Sequence, residues 1–359
     1  MKKIYYITAV FATLFLVGCG DGIDLPGVNV ETDLNKIPLP DNNVNLEQVE
    51  LKPSTEPMLH EGLHTEADFQ RIRDKKAAGE EPWVSAYQLL VESQFSQKTA
   101  DTYPTEWIKR GISGDENYMN AARGATIAYQ QALRWKIEQD DEYAAKAVEN
   151  LNKWVQTCVG VTGNTNLSLA AGLYGYEFAI AGELLRDYGG WDRADFAAFQ
   201  NWLLKVFYPA NDDFLKRHHD TNALHYWANW CLCNIAAKMA IGIVTDRRDI
   251  YNEGIDHLQT GDTNGRLRRA IYHDYAPDYN FAQWQESGRD QGHTLMCVGL
   301  MGIICQLAWS QGDDFFAYDD NLFMRACEYA ACCNYTNETV PYTTYIWQKQ
   351  SQWGYPIPE

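Results

Sequence analysis

The chain has 359 residues, with 48 acidic against 30 basic side chains and a formal net charge of −18. Nucleic-acid-binding proteins normally show the opposite balance, so we exclude that class of partner. A polyanionic glycan would also be repelled by the protein as a whole, and its binding would require a locally basic cleft. The 12 Trp and 22 Tyr residues could line a sugar-binding groove, although many of them must belong to the core.

The first 18 residues have the pattern of a secretory signal peptide. Lys2-Lys3 precede an apolar run from Ile4 to Val17, followed by Gly18-Cys19. A basic start, a short apolar stretch and a small-residue cleavage site are typical of such peptides. The sequence Leu16 to Cys19 also resembles the bacterial lipobox, which implies cleavage before Cys19 and lipidation of its sulfur. We therefore expect a protein lipid-anchored in the bacterial cell envelope, either periplasmic or at the outer membrane.

The rest of the chain divides into a linker and one domain. Residues 19–58 are rich in Asp, Asn, Pro and Val and lack a helical period, which is typical of a solvated tether. Residues 59–359 are enough for one large core, and no second linker interrupts them. No later apolar stretch reaches the roughly 20 residues needed to span a bilayer. The eight cysteines after Cys19 form no CxxC pair, and we expect buried free thiols.

Nearly everything after residue 64 is predicted to be helical. Thr65 fits an N-cap, with Asp68 in the place of the usual Glu or Gln of a capping box. Breaks between the later helices carry Gly, Pro, Asn or Asp, as at Pro209-Ala210-Asn211. The later helices are predicted at 82–97, 117–139, 142–157, 167–187, 192–207, 222–244, 246–258, 290–311 and 318–334.

Two of these helices, within 223–244 and 295–309, are apolar on nearly every side. Such a helix is buried inside a larger assembly. Alternation of buried and amphipathic helices predicts an all-α fold with two concentric layers of helical hairpins, an α/α toroid. A helical repeat solenoid would look similar, but the sequence has no repeat of fixed period. The loops at one end of the toroid would form the cleft.

The first polar segment, His218 to Trp230, leads into one of these buried helices. It holds three histidines, two asparagines and three aromatic residues. On a helix, His225 and Asn229 would share one face, because residues four apart are neighbours there. Each group also has a structural interpretation, with His218 and His219 as surface loop residues and His225 as a hydrogen-bonded core residue.

The second polar segment, Trp284 to His293, leads into the other buried helix. Arg289 and His293 lie one turn apart if that helix begins near Asp290. The structural alternatives are an ion pair between Arg289 and Asp290, and a pairing of Glu286 with Arg289 that keeps Glu286 away from substrate. For His293 a functional role is favoured over a structural one.

These segments resemble the alginate lyase family, which belongs to a superfamily of polysaccharide lyases with α/α toroids. The similarity covers about residues 60–350, and its most specific part is the string Glu286 to His293. Asn229-Trp230 with the apolar stretch after it, Trp309 to Asp314 and Arg325 to Asn334 also resemble the family. The resemblance implies an α/α toroid that cleaves uronate polymers by β-elimination, a reaction that requires no metal or cofactor.

The resemblance has two departures. In related lyases an Asn-Asn-His-Gly motif opens the corresponding helix, and its second Asn matches Asn229. The His of that motif falls at Trp230, so His225, His219 or His293 must supply the role. The chain also ends at Glu359, sooner than the resemblance leads us to expect, which implies a toroid truncated at its C-terminus.

β-Elimination removes the C5 proton of a uronate and expels the C4 oxygen. Donors held against the neighbouring carboxylate stabilise the developing enolate, while a base and an acid move the protons. We assign carboxylate neutralisation to Asn229 and Arg289, and the base or acid roles to His293 and His225. Candidates for a tyrosine partner are Tyr226, Tyr272 and Tyr275. Predicted substrate contacts are His219, Tyr226, Trp230, Trp284, Glu286 and Gln291.

Two other functions remain open. A glycoside hydrolase on a similar toroid usually needs two carboxylic acids across a cleft, and the candidates Glu177, Glu183 and Glu286 form no recognisable pair. A non-catalytic glycan-binding lipoprotein is favoured if aromatic residues line the cleft while the His and Arg groups lie buried elsewhere. The substrate of the lyase would be alginate, glucuronan or a similar acidic polysaccharide.

Overall fold

The structure is a computed structural model that describes residues 54–335 and 340–345. The predicted signal peptide, Cys19 and most of the predicted tether lie outside these residues. The helices are α1 (Glu66–Ala77), α2 (Trp83–Glu92), α3 (Tyr118–Glu138), α4 (Asp141–Thr157), α5 (Leu167–Leu184), α6 (Arg193–Val206), α7 (Tyr208–Arg217), α8 (Ala228–Val244), α9 (Arg248–Thr260), α10 (Leu267–Ala270), α11 (Gln291–Ser310) and α12 (Tyr318–Tyr335). The strands are β1 (Trp107–Arg110), β2 (Gly160–Gly163), β3 (Ile271–Asp274) and β4 (Ala282–Trp284). β1 pairs with β2 in parallel, and β3 pairs with β4 antiparallel.

The main helices form two layers of hairpins. An inner row of α3, α5, α8 and α11 runs through the domain, with each helix packed on the next, and the outer helices include α4, α6, α9 and α12. Along α8 every residue except Trp230 is buried. A helix buried on all sides must lie between other elements, and this arrangement confirms the predicted α/α toroid.

Neighbouring inner helices run parallel. The Asn234 side chain of α8 donates to the Ser168 carbonyl near the start of α5 at 3.2 Å. At the other end, Arg186 follows α5 and donates to the Val244 carbonyl at the end of α8 at 2.9 Å. Between α3 and α5, Tyr118 contacts Tyr174 and Trp135 contacts Tyr188, so the contacts follow the same order along both segments. The N-termini of these helices therefore lie at one end of the molecule, where polar groups of the connecting segments meet.

The inner helix α11 is long and apolar enough to cross a membrane by length and composition, although no stretch after the signal peptide was predicted to be so. It packs against α8 and α12, and 56% of its apolar window is buried inside the domain. This is the burial of a core helix. Close packing of the inner row also needs small residues, because a Cβ on Gly172 of α5 would lie 2.5 Å from the Cys233 sulfur of α8.

One helix start is confirmed, and several other boundaries differ from the sequence prediction; the helix predicted at 82–97, for example, ends at Glu92. Thr65 accepts the Asp68 N–H at 3.2 Å while Asp68 accepts the Thr65 N–H at 2.9 Å, so the capping box is present. Pro209 lies in the first turn of α7 and does not mark a loop, because proline needs no N–H partner there. The helix predicted from residue 222 begins at Ala228.

The first described residues, Ser54 to Glu61, lie against the end of the domain that is opposite the N-termini of the inner helices. Arg248 at the start of α9 donates to the Glu56 and Pro57 carbonyls at 2.8 and 3.0 Å. Gln311, just after α11, donates to the Glu61 carbonyl at 2.7 Å. The chain therefore enters the folded domain at the end where α8 and α11 finish.

Candidate active site

The two polar segments meet at the start of α8. The first N–H groups of any helix lack partners within the helix, and the residue before α8 supplies no side-chain cap. Gln285 instead accepts the Ala228 N–H at 2.9 Å, and Glu286 accepts the Asn229 N–H at 3.0 Å. Two adjacent side chains of the second segment thus hold the N-terminus that carries Asn229.

Glu286 joins this helix start to Arg289. Its carboxylate is fully buried, and Oε2 lies 3.1 Å from Arg289 Nη1. The guanidinium group also lies 5.3 Å from the centre of the Trp227 ring, and the Arg289 side chain is 17% exposed. Glu286 therefore positions Asn229 and Arg289, and at zero exposure it has no surface for the substrate contact that the sequence predicted.

The Asn229 amide is buried but weakly bound. The residue is 1% exposed, and Nδ2 lies 3.5 Å from the Met296 sulfur, which is a weak acceptor. Among the described residues, Asn229 Oδ1 has no hydrogen-bond partner. Met296 follows His293 by three residues on α11, so the Asn229 amide lies within about one helical turn of His293.

His293 is held by the N-cap of its own helix. Asp290 accepts the His293 backbone N–H at 2.8 Å, and its other oxygen lies 2.6 Å from His293 Nδ1. Burial raises the pKa of Asp290, but the hydrogen bonds from His293, together with the charges of His293 and Arg289, outweigh it and leave that pKa below its ordinary value. The carboxylate therefore fixes Nδ1 as the donor, and proton exchange with a substrate would use Nε2. The imidazole is 19% exposed.

An aromatic cluster lies beside this site, between α5 and α8. The Tyr226 ring is 4.7 Å from Trp230, 5.7 Å from His219 and 4.9 Å from His225, measured between centroids. His219 Nε2 also lies 2.9 Å from the Ser168 hydroxyl of α5. Burial lowers the pKa of His219 below its ordinary value. The cluster brings three of the predicted substrate contacts, His219, Tyr226 and Trp230, into one wall.

His225 does not share a helical face with Asn229. It lies in a turn before α8, where its backbone N–H donates to the Asn222 carbonyl at 2.9 Å. The sequence prediction placed both residues on one helix because apolar Ala223 and Leu224 extended the apparent pattern. His225 remains next to the aromatic cluster through its contact with Tyr226.

Two other predicted substrate contacts have structural partners. Trp284 is fully buried, and its indole N–H donates to the Ala326 carbonyl of α12 at 2.9 Å. A sugar cannot stack on a ring without exposed surface, so this position contradicts the predicted contact. Gln291 donates to Asn334, also on α12. Both residues fasten the second polar segment to the last hairpin.

Tyrosines of β3, of the segment that follows it and of the C-terminal segment 340–345 lie in the same region. Tyr275 donates to Gln283 at 2.5 Å and lies 3.1 Å from the Thr343 hydroxyl. Tyr345 packs edge-on against Tyr272 with centroids 4.9 Å apart, and its ring centre is 6.1 Å from that of Trp227. Tyr345 was not among the residues predicted from the sequence, although it stands in a string rich in tyrosine and threonine. Burial raises the pKa of Tyr345 above its ordinary value.

The electrostatics of this end favour an anion despite the net charge of −18. Each inner helix directs the positive end of its dipole here. The nearby carboxylates of Glu286 and Asp290 are already engaged by Arg289 and His293. Within residues 54–335 and 340–345, no group of three or more His, Cys, Asp and Glu side chains is placed to hold a metal ion.

Comparison with known proteins agrees with this architecture. The family model described as alginate lyase matches residues 73–338. A histidine-to-alanine variant of alginate lyase A1-III complexed with tetrasaccharide has a TM-score of 0.59 at 13% identity, covering 78% of this chain and 80% of that chain. Alginate lyase A1-III from Sphingomonas species A1 has a TM-score of 0.54 at 13% identity, covering 77% and 79%. An alginate lyase from Bacteroides ovatus has a TM-score of 0.51 at 14% identity, covering 75% and 82%.

No curated protein matches the chain by sequence. At such low identities, the likeness to solved structures concerns the fold alone, and it agrees with the α/α toroid. The family match is the stronger finding, because it spans most of the chain and includes both polar segments. It favours the lyase over the hydrolase and the non-catalytic binder considered above. This chain is a polysaccharide lyase and belongs to the alginate lyase family.

Proposed function

We propose that the protein cleaves a uronate-containing glycan by β-elimination where α8 and α11 begin. One observation carries this proposal, namely that the Glu286 carboxylate contacts both the Asn229 backbone at 3.0 Å and the Arg289 guanidinium at 3.1 Å. An amide donor and a cation are thereby held together beside His293. β-Elimination from a uronate requires donors for the carboxylate and a base for the C5 proton in one place.

Asn229 and Arg289 neutralise the substrate carboxylate in this proposal. Among the described residues, Nδ2 of Asn229 contacts the Met296 sulfur, and a carboxylate oxygen would be a far better acceptor. Because Asn229 is 1% exposed, this contact requires the substrate to displace the Met296 side chain. Arg289 directs Nη1 to Glu286, and its guanidinium has further donors for a second oxygen. Donors fixed before the reaction stabilise the enolate that forms as the C5 proton leaves.

His293 takes the C5 proton through Nε2, while Asp290 stabilises the imidazolium that results. The C4–O bond then breaks, a double bond forms between C4 and C5, and an acid protonates the departing oxygen. His225 is the candidate acid from the first polar segment, with Tyr226, Tyr272 and Tyr275 as the tyrosine alternatives. Proton transfers of this kind typically contribute about 10²- to 10⁴-fold to a rate.

The substrate class follows from the same groups. A site built around an amide, a guanidinium and imidazoles recognises a sugar acid, so we propose alginate, glucuronan or a similar acidic polysaccharide. The relatives named above are described as alginate lyases, which supports alginate as the first substrate to try.

The test is incubation of the wild-type protein with alginate, glucuronan and glycosaminoglycans. A lyase creates a conjugated double bond with near-ultraviolet absorbance, whereas a hydrolase yields reducing ends without it. We expect the absorbance to rise with at least one polymer and not with heat-denatured protein. Reducing ends without absorbance, or binding without either product, would overturn the proposal.

We also propose that the enzyme is anchored to the bacterial envelope by lipid on Cys19. This residue lies outside the described structure, and the proposal is supported by the lipobox-like sequence Leu16 to Cys19. The chain enters the domain through Ser54 to Glu61, at the end opposite the candidate site. An anchor attached on that side joins the domain away from the candidate site, which leaves the site open to a polymer.

A further inference from the structure

A second cationic position lies at the same end of the toroid, on the β1–β2 pair. Arg110 is the last residue of β1 and pairs with Gly163 of β2. β1 leads into α3 and β2 leads into α5, so Arg110 lies near the N-termini of two inner helices. Gly163 has a φ of +149°, and a Cβ there would lie 1.7 Å from the Arg110 carbonyl oxygen. Only glycine permits this approach, which fixes the backbone of Arg110.

The Arg110 side chain faces the helices. Burial alternates along β1, with Ile108 and Arg110 buried and Trp107 and Lys109 on the other, more exposed face. The Arg110 guanidinium lies 4.6 Å from the centre of the Tyr118 ring at the start of α3. Its direction is therefore toward the end of the toroid that carries the candidate site.

Arg110 is a buried cation that has no carboxylate partner in the described part of the chain. The residue is 4% exposed, and among the described residues Nη1 has no hydrogen-bond partner and Arg110 forms no ion pair. A buried charge is costly unless it is paired. The contact with Tyr118 supplies only part of the compensation. A guanidinium group in this position is suited to binding an anion.

The inner helix α5 connects this position to the candidate site. The Tyr118 ring stacks on Tyr174 of α5, with centroids 6.4 Å apart and planes 11° apart. Six residues earlier on α5, Ser168 contacts His219 of the aromatic cluster. Six residues correspond to about 9 Å along a helix axis. The Arg110 position and the aromatic cluster therefore both lie along the first half of α5. This spacing suits two different sugars of one polymer.

We infer that Arg110 forms a distal subsite for the carboxylate of a second uronate, away from the bond that is cleaved. This inference rests on the proposed function and adds a substrate requirement to it. The planar guanidinium group matches a carboxylate with two parallel hydrogen bonds. Because Nη1 is enclosed, binding must open this end of β1. The adjoining segment Ser113–Glu116 is exposed and includes Gly114 at φ +76°, and we expect it to move.

The test compares oligouronates of increasing length, from trimer to octamer, on the wild-type enzyme and on Arg110→Gln. For the wild type we expect KM to fall by about tenfold at the length that first reaches the subsite, as a charge-assisted hydrogen bond provides. Arg110→Gln should lose this step while kcat on the shortest cleaved oligomer stays unchanged. Arg110→Lys should keep part of it. Arg193→Gln, which removes a charge from the exposed start of α6, is the control and should behave as wild type.

A readout on the wild type alone keeps the test decisive if a variant fails to fold. Oligouronates whose distal carboxyl groups are reduced to alcohols should lose the same tenfold step. An equal KM for reduced and unreduced oligomers, or an unchanged length dependence in folded Arg110→Gln, would overturn the subsite. If the wild type eliminates from no uronate polymer at all, the proposed function has failed instead.

Discussion

Glu286 accepts the backbone N–H of Asn229 at 3.0 Å, although 57 residues separate them in the sequence. The same carboxylate holds Arg289 at 3.1 Å. A single buried acid thus fixes the helix that carries one candidate catalytic group and the orientation of another. This explains how the string Glu286 to His293 supports both fold and chemistry.

Replacing Glu286 with Gln separates the contributions of its two contacts to stability. Glutamine keeps an acceptor for the Asn229 N–H but removes the charge that faces Arg289. Breaking a buried ion pair from one side leaves the other charge uncompensated, so we expect a loss of about 3 kcal/mol in the free energy of unfolding. Urea denaturation measures this. Glu286→Ala, which also removes the N–H acceptor, should lose about 1 kcal/mol more, and wild-type stability in both variants would contradict the assignment.

Asp290→Asn tests the link between Asp290 and His293. Asparagine caps a helix about as well as aspartate, so the melting temperature should change little. The variant lacks the charge that stabilises a protonated His293, and we expect kcat to fall by about 100-fold. The limb of the pH–rate profile that reports His293 should move to lower pH for the same reason. An unchanged kcat, or a large drop in melting temperature, would show that Asp290 serves the helix alone.

Glu177 gives the fold a pH dependence of its own. Burial raises the pKa of this α5 carboxyl to about 8 from the ordinary 4.5, against a smaller opposing effect of the Tyr176 hydrogen bond. The folded protein therefore holds a proton that the unfolded chain has lost, and this contribution to stability falls as pH rises from 4.5 through 8. Glu177→Gln imitates the protonated form permanently.

We expect the melting temperature of Glu177→Gln to equal that of the wild type at pH 5 and to exceed it at pH 9. Thermal melts across this range provide the measurement. The exposed Glu328→Gln is the matched control and should follow the wild type throughout. A variant no more stable than the wild type at pH 9 would contradict the raised pKa of Glu177.

The lipid anchor predicts a fractionation result. Wild-type protein produced in bacterial cells should partition into the detergent phase, because the lipid on Cys19 is retained there. Cys19→Ser blocks lipidation and should move the protein to the aqueous phase. Since the domain begins well after this position, activity on a soluble polymer should stay the same. Aqueous partitioning of the wild type would contradict the anchor.

Local rules predicted much of the fold but not the start of α8. The Thr65–Asp68 capping box and the bounds of α11, predicted at 290–311 and found at Gln291–Ser310, follow from short-range pattern. The start of α8 depends on Gln285 and Glu286, which lie 57 residues away from the N–H groups they bind. A sequence pattern carries no information about such distant partners.

The residues of the candidate site were likewise predicted only in part. Asn229, Arg289 and His293 could be selected because dense polar groups before a buried helix are unusual. Trp284 was selected by the same rule, yet its ring is fully buried against α12, since an aromatic residue in a polar string can still point into the core. Tyr345 was missed because only tertiary folding brings residue 345 near Trp227.

The central claim is that Asn229 and His293 act as one catalytic unit on a uronate. A double-mutant cycle in kcat/KM for β-elimination measures this directly, with Asn229→Ala, His293→Ala and the double variant, each checked for folding by circular dichroism. We expect each single variant to lose about 100-fold or more, and the double variant to lose little beyond the worse single variant, because groups that act together are not additive. Full activity in both folded single variants would contradict the account.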